Sequence, residues 1–265
     1  MKNLFSACCL LVAASAGVSA HDFWLGAADW RPGPAAPATI TAGIGEHFPT
    51  RTPTRMTESA FEEWRMLGAA GTVPVANDFV KAGLEFTTKV SLPAPGAYLG
   101  VAVISAQTIE MKGDEFTDYL KEEGLDAIVA ARQAAGESAS ATTERFGRYA
   151  KIALRTGPGP GAHLTRPARL KVELVPAVDP TSLRIGQPLT VQFLSGGTPV
   201  ANATVMAVSG GVAARAQTNA DGRATFTIDR AGPWLIKTIH MVRLPAGSPT
   251  VWESSWATLT FHTAA

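Results

Sequence analysis

The sequence predicts a mainly β protein with two immunoglobulin-like β-sandwich domains, the first of which carries a helical insertion. Three observations support this prediction: short apolar or alternating segments recur along the chain, Gly, Pro, Asn and Asp clusters separate them, and one region has helical periodicity. The composition is that of a folded chain, because 46% of the 265 residues are hydrophobic, 17% are charged and the formal net charge is only +1.

The first 20 residues have the pattern of a secretory signal peptide. A basic residue near the start is followed by the apolar run 4–18 and by a small-residue cleavage site that ends at Ala20. We therefore expect export to the periplasm and a mature chain that begins with His21. The two cysteines, Cys8 and Cys9, would be removed with the signal, so the exported chain would contain neither a disulfide nor a thiolate metal ligand.

Strands are expected at three places in the N-terminal domain, residues 21–160. Residues 37–45 alternate weakly between apolar and polar side chains, and residues 84–92 alternate more regularly. Residues 98–104 form a nearly continuous apolar run, which is typical of a strand buried on both faces.

The helical insertion is predicted within residues 105–145. Asp114 can cap a helix whose Phe116, Tyr119 and Leu120 lie at helical spacing, and residues 124–135 continue the pattern. The chain then returns to a strand over residues 145–155.

A Gly/Pro linker at residues 157–161 predicts the domain boundary, with a C-terminal immunoglobulin-like sandwich over residues 161–265. A weak repeat, in which residues 90–99 align with residues 226–235, suggests that both halves are sandwiches. Seven strands are expected after the linker, at residues 169–176, 189–194, 203–208, 212–218, 224–228, 234–242 and 256–261.

Several classes of function are disfavoured by the composition and by missing motifs. No run of Lys or Arg supports nucleic-acid binding, and no apolar stretch reaches the roughly 18 residues that predict stable membrane insertion. Neither a nucleophile elbow, a zinc-protease helix nor a glycine-rich phosphate loop is found, so we expect a protein that is not an enzyme. The six tryptophans could stack on sugars, although packing in the core is the commoner use.

The strongest candidate for a functional site is the predicted mature N-terminus. A terminal histidine offers two metal donors, its free α-amine and its ring Nδ1, and a further imidazole completes a set that suits Cu(II) or Ni(II). We predict a metal site of His21, His240 and His47. His47 could instead be an exposed loop residue, and His240 a hydrogen-bonded residue at the edge of the core. Met241 lies on the opposite side of a regular strand from His240, which makes it a weaker ligand candidate.

Segments spread over nearly the whole mature chain resemble the NikM-like family, exported bacterial proteins once described as a domain of unknown function. The resemblance implies a periplasmic β-rich protein tied to nickel or cobalt uptake, with His21 and His240-Met241 matching best and His47 less well. The third mature residue is Phe23, where some relatives carry histidine, so copper competes with nickel. The matching segments are residues 21–25, 116–125, 145–151, 220–224, 232–236, 240–241 and 252–261.

We therefore expect a periplasmic protein that binds a divalent transition metal (nickel, cobalt or copper) and supports its uptake or handling. An inner-membrane metal transporter would be the partner that receives the ion. Two other hypotheses remain open: a metal-free envelope module that binds a glycan or another protein, and a copper oxidase that uses the same terminal histidine. The affinity for the metal should fall below about pH 6.5, because the imidazoles must be deprotonated to bind it.

Overall fold

The computed structural model describes residues 21–33, 37–75 and 78–264. The predicted signal peptide and both cysteines lie outside the described residues. Within them the chain is mainly β, with two α-helices between long strands, so the predicted fold class is confirmed. None of the helices in the described ranges has the length and apolar character needed to cross a bilayer.

The N-terminal half contributes eight strands and both α-helices. In chain order they are β1 (Asp22–Ala27), β2 (Ala38–Gly45), β3 (Phe61–Gly68), β4 (Gly71–Val73), β5 (Val80–Ala82), β6 (Glu85–Val90), β7 (Ala97–Met111), α1 (Gly113–Glu122), α2 (Asp126–Ala134) and β8 (Thr142–Arg155).

The C-terminal half contributes the remaining strands, which coincide with the seven predicted segments apart from the short β11. They are β9 (Val172–Pro176), β10 (Pro188–Ser195), β11 (Thr198–Pro199), β12 (Thr204–Ser209), β13 (Val212–Gln217), β14 (Arg223–Thr227), β15 (Gly232–Arg243) and β16 (Trp252–Thr263).

The strands form three sheets, and the largest is shared by both halves of the chain. Its order is β13-β12-β15-β16-β8-β7-β3-β4, and β8 pairs with β16 in parallel from Glu144↔Trp252 to Ile152↔Thr260. One outer sheet has the order β1-β2-β6-β5, and the other contains β11-β10-β14 with β9 on β10. Strands on both sides of the predicted domain boundary thus hydrogen-bond in one sheet, and the division at residue 160 stays a prediction.

The two outer sheets cover opposite faces of the central sheet. Alternate residues of β7 show this, because Tyr98 and Ala102 pack with the β1-β2-β6 sheet whereas Leu99 and Val101 pack with the β9-β10-β14 sheet. The first eight residues of β7 are all buried. A strand covered on both faces needs apolar side chains at every position, which explains the continuous apolar run predicted at residues 98–104.

The two helices of the predicted insertion are present between β7 and β8, but the insertion is shorter than the predicted range 105–145, because β7 continues to Met111 and β8 begins at Thr142. The predicted apolar face of α1 is buried against a cluster that includes Trp252 and Trp256 of β16. Lys112 occupies the cap position of α1 and Asp114 lies in its first turn, where a carboxylate still interacts favourably with the helix dipole. The insertion therefore covers the end of the central-sheet face that the β1-β2-β6-β5 sheet leaves open.

The aligned segments at residues 90–99 and 226–235 occupy equivalent corners. In the first the chain passes from β6 of one outer sheet to β7 of the central sheet, and in the second from β14 of the other outer sheet to β15. The aligned glycines Gly96 and Gly232 both have positive φ, 138° and 112°. Glycine adopts this conformation without the strain that a side chain would add.

Candidate functional site

His21 lies at the start of β1, opposite the end of β2. Because Asp22 pairs with Gly45, the residue that follows, Glu46, is brought beside the histidine. The Nδ1 atom of His21 is 3.5 Å from Oε1 of Glu46. This Nδ1 is buried and has no hydrogen-bond partner in the described part of the chain. An unpaired ring nitrogen facing a carboxylate is an arrangement that can accept a metal ion or a proton.

His47 lies next to Glu46 in the turn after β2 and is exposed. The turn is closed by a hydrogen bond of 2.7 Å from the amide of Thr50 to the carbonyl of His47. It is anchored by Phe48, which packs edge-on against Trp24 with 5.4 Å between ring centroids. The structure thus brings His21, Glu46 and His47 to the same end of the β1-β2 pair.

His240 is not brought to this group. On β15, Lys237 and His240 lie on opposite faces of the strand, three residues apart, and Lys237 faces β1, where its Nζ lies 2.8 Å from Oδ2 of Asp22. His240 faces the other outer sheet, where its Nδ1 is 3.5 Å from Oγ of Ser195 and its ring is 6.3 Å from that of Phe193. The predicted grouping of His240 with His21 is therefore not formed, because the central sheet separates them.

Met241, the weaker sequence candidate, is also separated from His21. It is on the same face as Lys237 but packs in the apolar cluster beneath α1. No three His, Cys, Asp or Glu side chains among the described residues are arranged to hold a metal ion.

A buried group of five charged residues lies directly beneath His21, and we call it the charged cluster. Lys237 donates to Asp22 and, at 2.9 Å, to Oε1 of Glu123. Arg148 donates to the carbonyl of His21 at 3.4 Å and interacts electrostatically with Asp22 and Glu144. The cluster thus connects the N-terminal end of β1 with β8, β15 and the end of α1.

The charged cluster contains three carboxyl groups and two cations, so it carries a net charge of −1 when every group is ionised. Burial raises the pKa of Glu123 and the pKa of Glu144, each to about 7, and raises the pKa of Asp22 above its usual value. Burial also lowers the pKa of Arg148 to about 10. The surroundings therefore favour either a proton on one carboxyl group or an additional positive charge nearby.

Glu144 connects the charged cluster to the helical insertion. Its Oε1 accepts hydrogen bonds from Tyr119 of α1 at 3.3 Å and from Ser254, and Ser254 in turn accepts from the indole of Trp256 at 3.0 Å. The rings of Tyr119 and Trp256 stack with 5.8 Å between centroids. Oε2 of Glu144 and Nε of Arg148 are buried without hydrogen-bond partners among the described residues.

Glu46 and the charged cluster were not predicted from the sequence. Their members come from five different segments of the chain, and no spacing pattern joins such distant positions. A signal was nevertheless present, since the segments 116–125, 145–151 and 252–261 that carry the family resemblance all contribute to the cluster or to its hydrogen bonds.

The tryptophans belong mostly to the core. Four of the six have at most 5% of their surface exposed, and the other two are partly buried. An envelope module that stacks sugars on an exposed aromatic strip therefore finds no support in the placement of these side chains. The four are Trp24, Trp234, Trp252 and Trp256.

Comparisons with known proteins give one family match. The model of the family described as "Domain of unknown function (DUF4198)" matches residues 18–242, and no curated protein matches the chain. The D0-D1 domain of intimin is 14% identical with a TM-score of 0.24, covering 91% of this chain and 98% of that chain. A segment of two fibronectin type III domains from chicken tenascin is 13% identical with a TM-score of 0.23, covering 90% and 97%. TM-scores this low support no conclusion about this chain.

Proposed function

Because the chain belongs to the DUF4198 family, a domain of unknown function, we propose its function from its own geometry: it is a periplasmic protein that binds a divalent transition metal through His21. The observation that carries this proposal is the buried Nδ1 of His21, which has no hydrogen-bond partner among the residues that the structure describes and lies 3.5 Å from Oε1 of Glu46, with His47 next in the chain.

The proposed donor set combines the main chain with side chains. Cleavage after Ala20 would free the α-amine of His21, which can close a chelate ring with the Nδ1 of the same residue. The carboxylate of Glu46 would supply a third donor, and the exposed imidazole of His47 would have to turn toward the ion to supply a fourth, because no three such side chains are already grouped around one point among the described residues. Nitrogen and oxygen donors of this kind suit Cu(II) and Ni(II) in tetragonal geometry. His240, on the other face of the central sheet, has no part in this site.

The electrostatics of the charged cluster support a cation at this position. With all five groups ionised the cluster carries one net negative charge, so a positive ion bound at His21 would favour the ionised carboxyl groups over the protonated ones that burial favours without it. The attraction between that ion and the ionised groups would hold the metal-loaded N-terminus against the middle of β8, where Arg148 already bonds to the carbonyl of His21.

The resemblance to the NikM-like family extends the proposal to a biological role. We propose that the bound ion is nickel, cobalt or copper and that the protein delivers it to an inner-membrane transporter. An exposed site suits such transfer, since His47 is exposed and the side chain of Glu46 is 51% exposed, so that an incoming ligand can displace them.

Calorimetric titration of two matched chains with Cu(II), Ni(II) and Co(II) tests the proposal. Both chains begin at His21, the first with a free α-amine and the second with that amine acetylated, so that they share every proposed side-chain donor and differ only in whether the amine can bind the ion. We expect the first to bind one ion per chain and the second to bind at least about 10-fold more weakly. His21→Ala and Glu46→Gln should weaken binding in the first chain, and His240→Ala should leave it unchanged.

Two results would contradict the proposal. One is that the chain beginning at His21 takes up none of the three ions at neutral pH. The other is that both chains bind with equal affinity, which would place the ion at a site that does not use the amine.

A further inference from the structure

A cleft lies at the C-terminal end of β8. Its volume is about 720 Å³, which is within the range of about 300–1,000 Å³ common for small-molecule sites. It is lined by Arg155 at the end of β8, Arg31 after β1 and the loop that follows the 3-10 turn Pro180–Ser182. Arg155 is seven residues along β8 from Arg148, or roughly 23 Å at about 3.3 Å per residue. The cleft is therefore separate from the N-terminal site.

The lining of the cleft is positively charged. Among the described residues, three arginines and no acidic residue face it. One of them, Arg155, is held by neighbouring groups: it pairs with Asp179, and it donates to Oγ1 of Thr181 at 2.9 Å and to the carbonyls of Gly157 and Gly159 at 3.0 and 3.2 Å. Arg155 therefore fixes the walls of the cleft, and its charge is already balanced by Asp179.

The other two arginines have donors left over. Arg31 is exposed, and the hydrogen bond of its guanidinium among the described residues is a single one of 3.0 Å to the carbonyl of Thr181. Arg184 is exposed, and its guanidinium has no hydrogen-bond or ion-pair partner in the same ranges. Each guanidinium carries five N–H donors in a planar fork that matches the oxygens of a carboxylate or a phosphate.

An apolar wall lies beside these two arginines. Leu183 and Ile185 also line the cleft, and Ile185 is 49% exposed, which is unusual for so large an apolar side chain. A ligand that covered Ile185 would gain free energy by removing apolar surface from water. A ligand with an oxyanion bound to the arginines and an apolar part packed on Ile185 would therefore contact both the charged and the apolar parts of the lining.

We propose that this cleft binds a small organic anion. Its carboxylate or phosphate oxygens accept hydrogen bonds from Arg31 and Arg184, and its apolar part packs on Ile185. The site lies where segments from both halves of the chain meet, a common location for small-molecule sites. It does not depend on metal binding at His21.

Titration of the full chain with benzoate, phenyl phosphate and inorganic phosphate, followed by calorimetry, tests this proposal. We expect saturable binding of benzoate or phenyl phosphate, and the stronger of the two identifies the oxyanion as carboxylate or phosphate. Inorganic phosphate should bind more weakly, because it lacks the apolar part. The double variant Arg31→Gln/Arg184→Gln should lose at least about 10-fold in affinity. Both positions are exposed, so this variant should fold normally.

Two further variants complete the experiment. Ile185→Ser should weaken binding of the aromatic probes and leave inorganic phosphate unchanged. Arg223→Gln, which removes an exposed arginine on β14 away from the cleft, should leave all affinities unchanged. The proposal is overturned if neither aromatic probe saturates the wild-type protein, or if Arg223→Gln lowers affinity as much as the double variant, since that would indicate binding to general surface charge.

Discussion

Glu144 is the residue whose burial has the clearest consequence for pH dependence. Its pKa is about 7 in the folded chain, against 4.5 for an unburied glutamate, so the folded state retains a proton that the unfolded state releases between these pH values. The free energy of unfolding should therefore fall as the pH rises from about 4.5 to about 7, by about 3 kcal/mol from this group. Below that range both states are protonated and the effect vanishes.

Glu144→Gln should remove this contribution, because the amide is neutral at every pH. Urea unfolding of wild type and variant at pH 5 and pH 7.5 measures it, and the variant should lose less stability between the two values. Glu122→Gln, at an exposed neighbour of Glu123, serves as the control and should behave as wild type. Equal pH dependence in wild type and Glu144→Gln would show that Glu144 is not the group responsible.

Lys151 and Glu173 form an ion pair that is almost completely buried, with side chains 1% and 2% exposed and 2.9 Å between Nζ and Oε2. Lys151→Met should cost about 3–5 kcal/mol in denaturant unfolding, because it leaves a buried carboxylate without its cation. Lys151→Met/Glu173→Gln should recover part of this loss. A single-variant cost below about 1 kcal/mol would mean that the hydrogen bonds from the backbone to Glu173 suffice alone.

At the scale of elements, β1 is held on its open edge by side chains. It is an edge strand, and the hydroxyls of Thr258 and Thr260 on β16 donate to the carbonyls of Phe23 and Leu25 at 3.0 and 2.8 Å. An edge strand has no neighbouring strand on one side, and these hydroxyls supply hydrogen bonds that such a neighbour would have made. They thereby position β1, which directly follows His21.

Thr258→Val/Thr260→Val should therefore loosen β1, since two buried carbonyls lose their donors while the shape of the side chains is kept. We expect a loss of about 2–4 kcal/mol in the free energy of unfolding and faster amide hydrogen exchange in β1 than in wild type. Thr225→Val, on the exposed face of β14, provides the matched control. Unchanged exchange in β1 would show that β2 alone fixes the strand.

Strands and helices were predictable where the pattern of apolar and polar residues along the chain follows the burial of one or both of their faces. The strands of the C-terminal half were found because apolar alternation and turn residues coincide there. β3 was missed because Glu62 and Glu63 interrupt its apolar pattern. The end of β7, from residue 105 to Met111, was missed because polar side chains break the continuous apolar run there. β1 was missed because its apolar run is short and next to the predicted cleavage site.

At the scale of the whole molecule, the sequence could not show which strands become neighbours. The parallel pairing of β8 with β16 joins residues about a hundred positions apart, as in Arg145↔Glu253, and no local pattern encodes it. The same set of strand pairings fixes which face of β15 points toward β1. As a result, Lys237 faces β1 and His240 does not. This explains why His21 was predictable as a candidate whereas its neighbours Glu46 and Asp22 were not.

The central claim is that a main-chain nitrogen and the ring of the same histidine hold one ion. Electron paramagnetic resonance of the Cu(II)-loaded chain beginning at His21 tests it most directly. We predict an axial spectrum with nitrogen hyperfine splitting that changes when the α-amine of His21 is acetylated and that is unaffected by His240→Ala. Identical spectra from the free and the acetylated chains would contradict the account, since the amine would then not bind the metal.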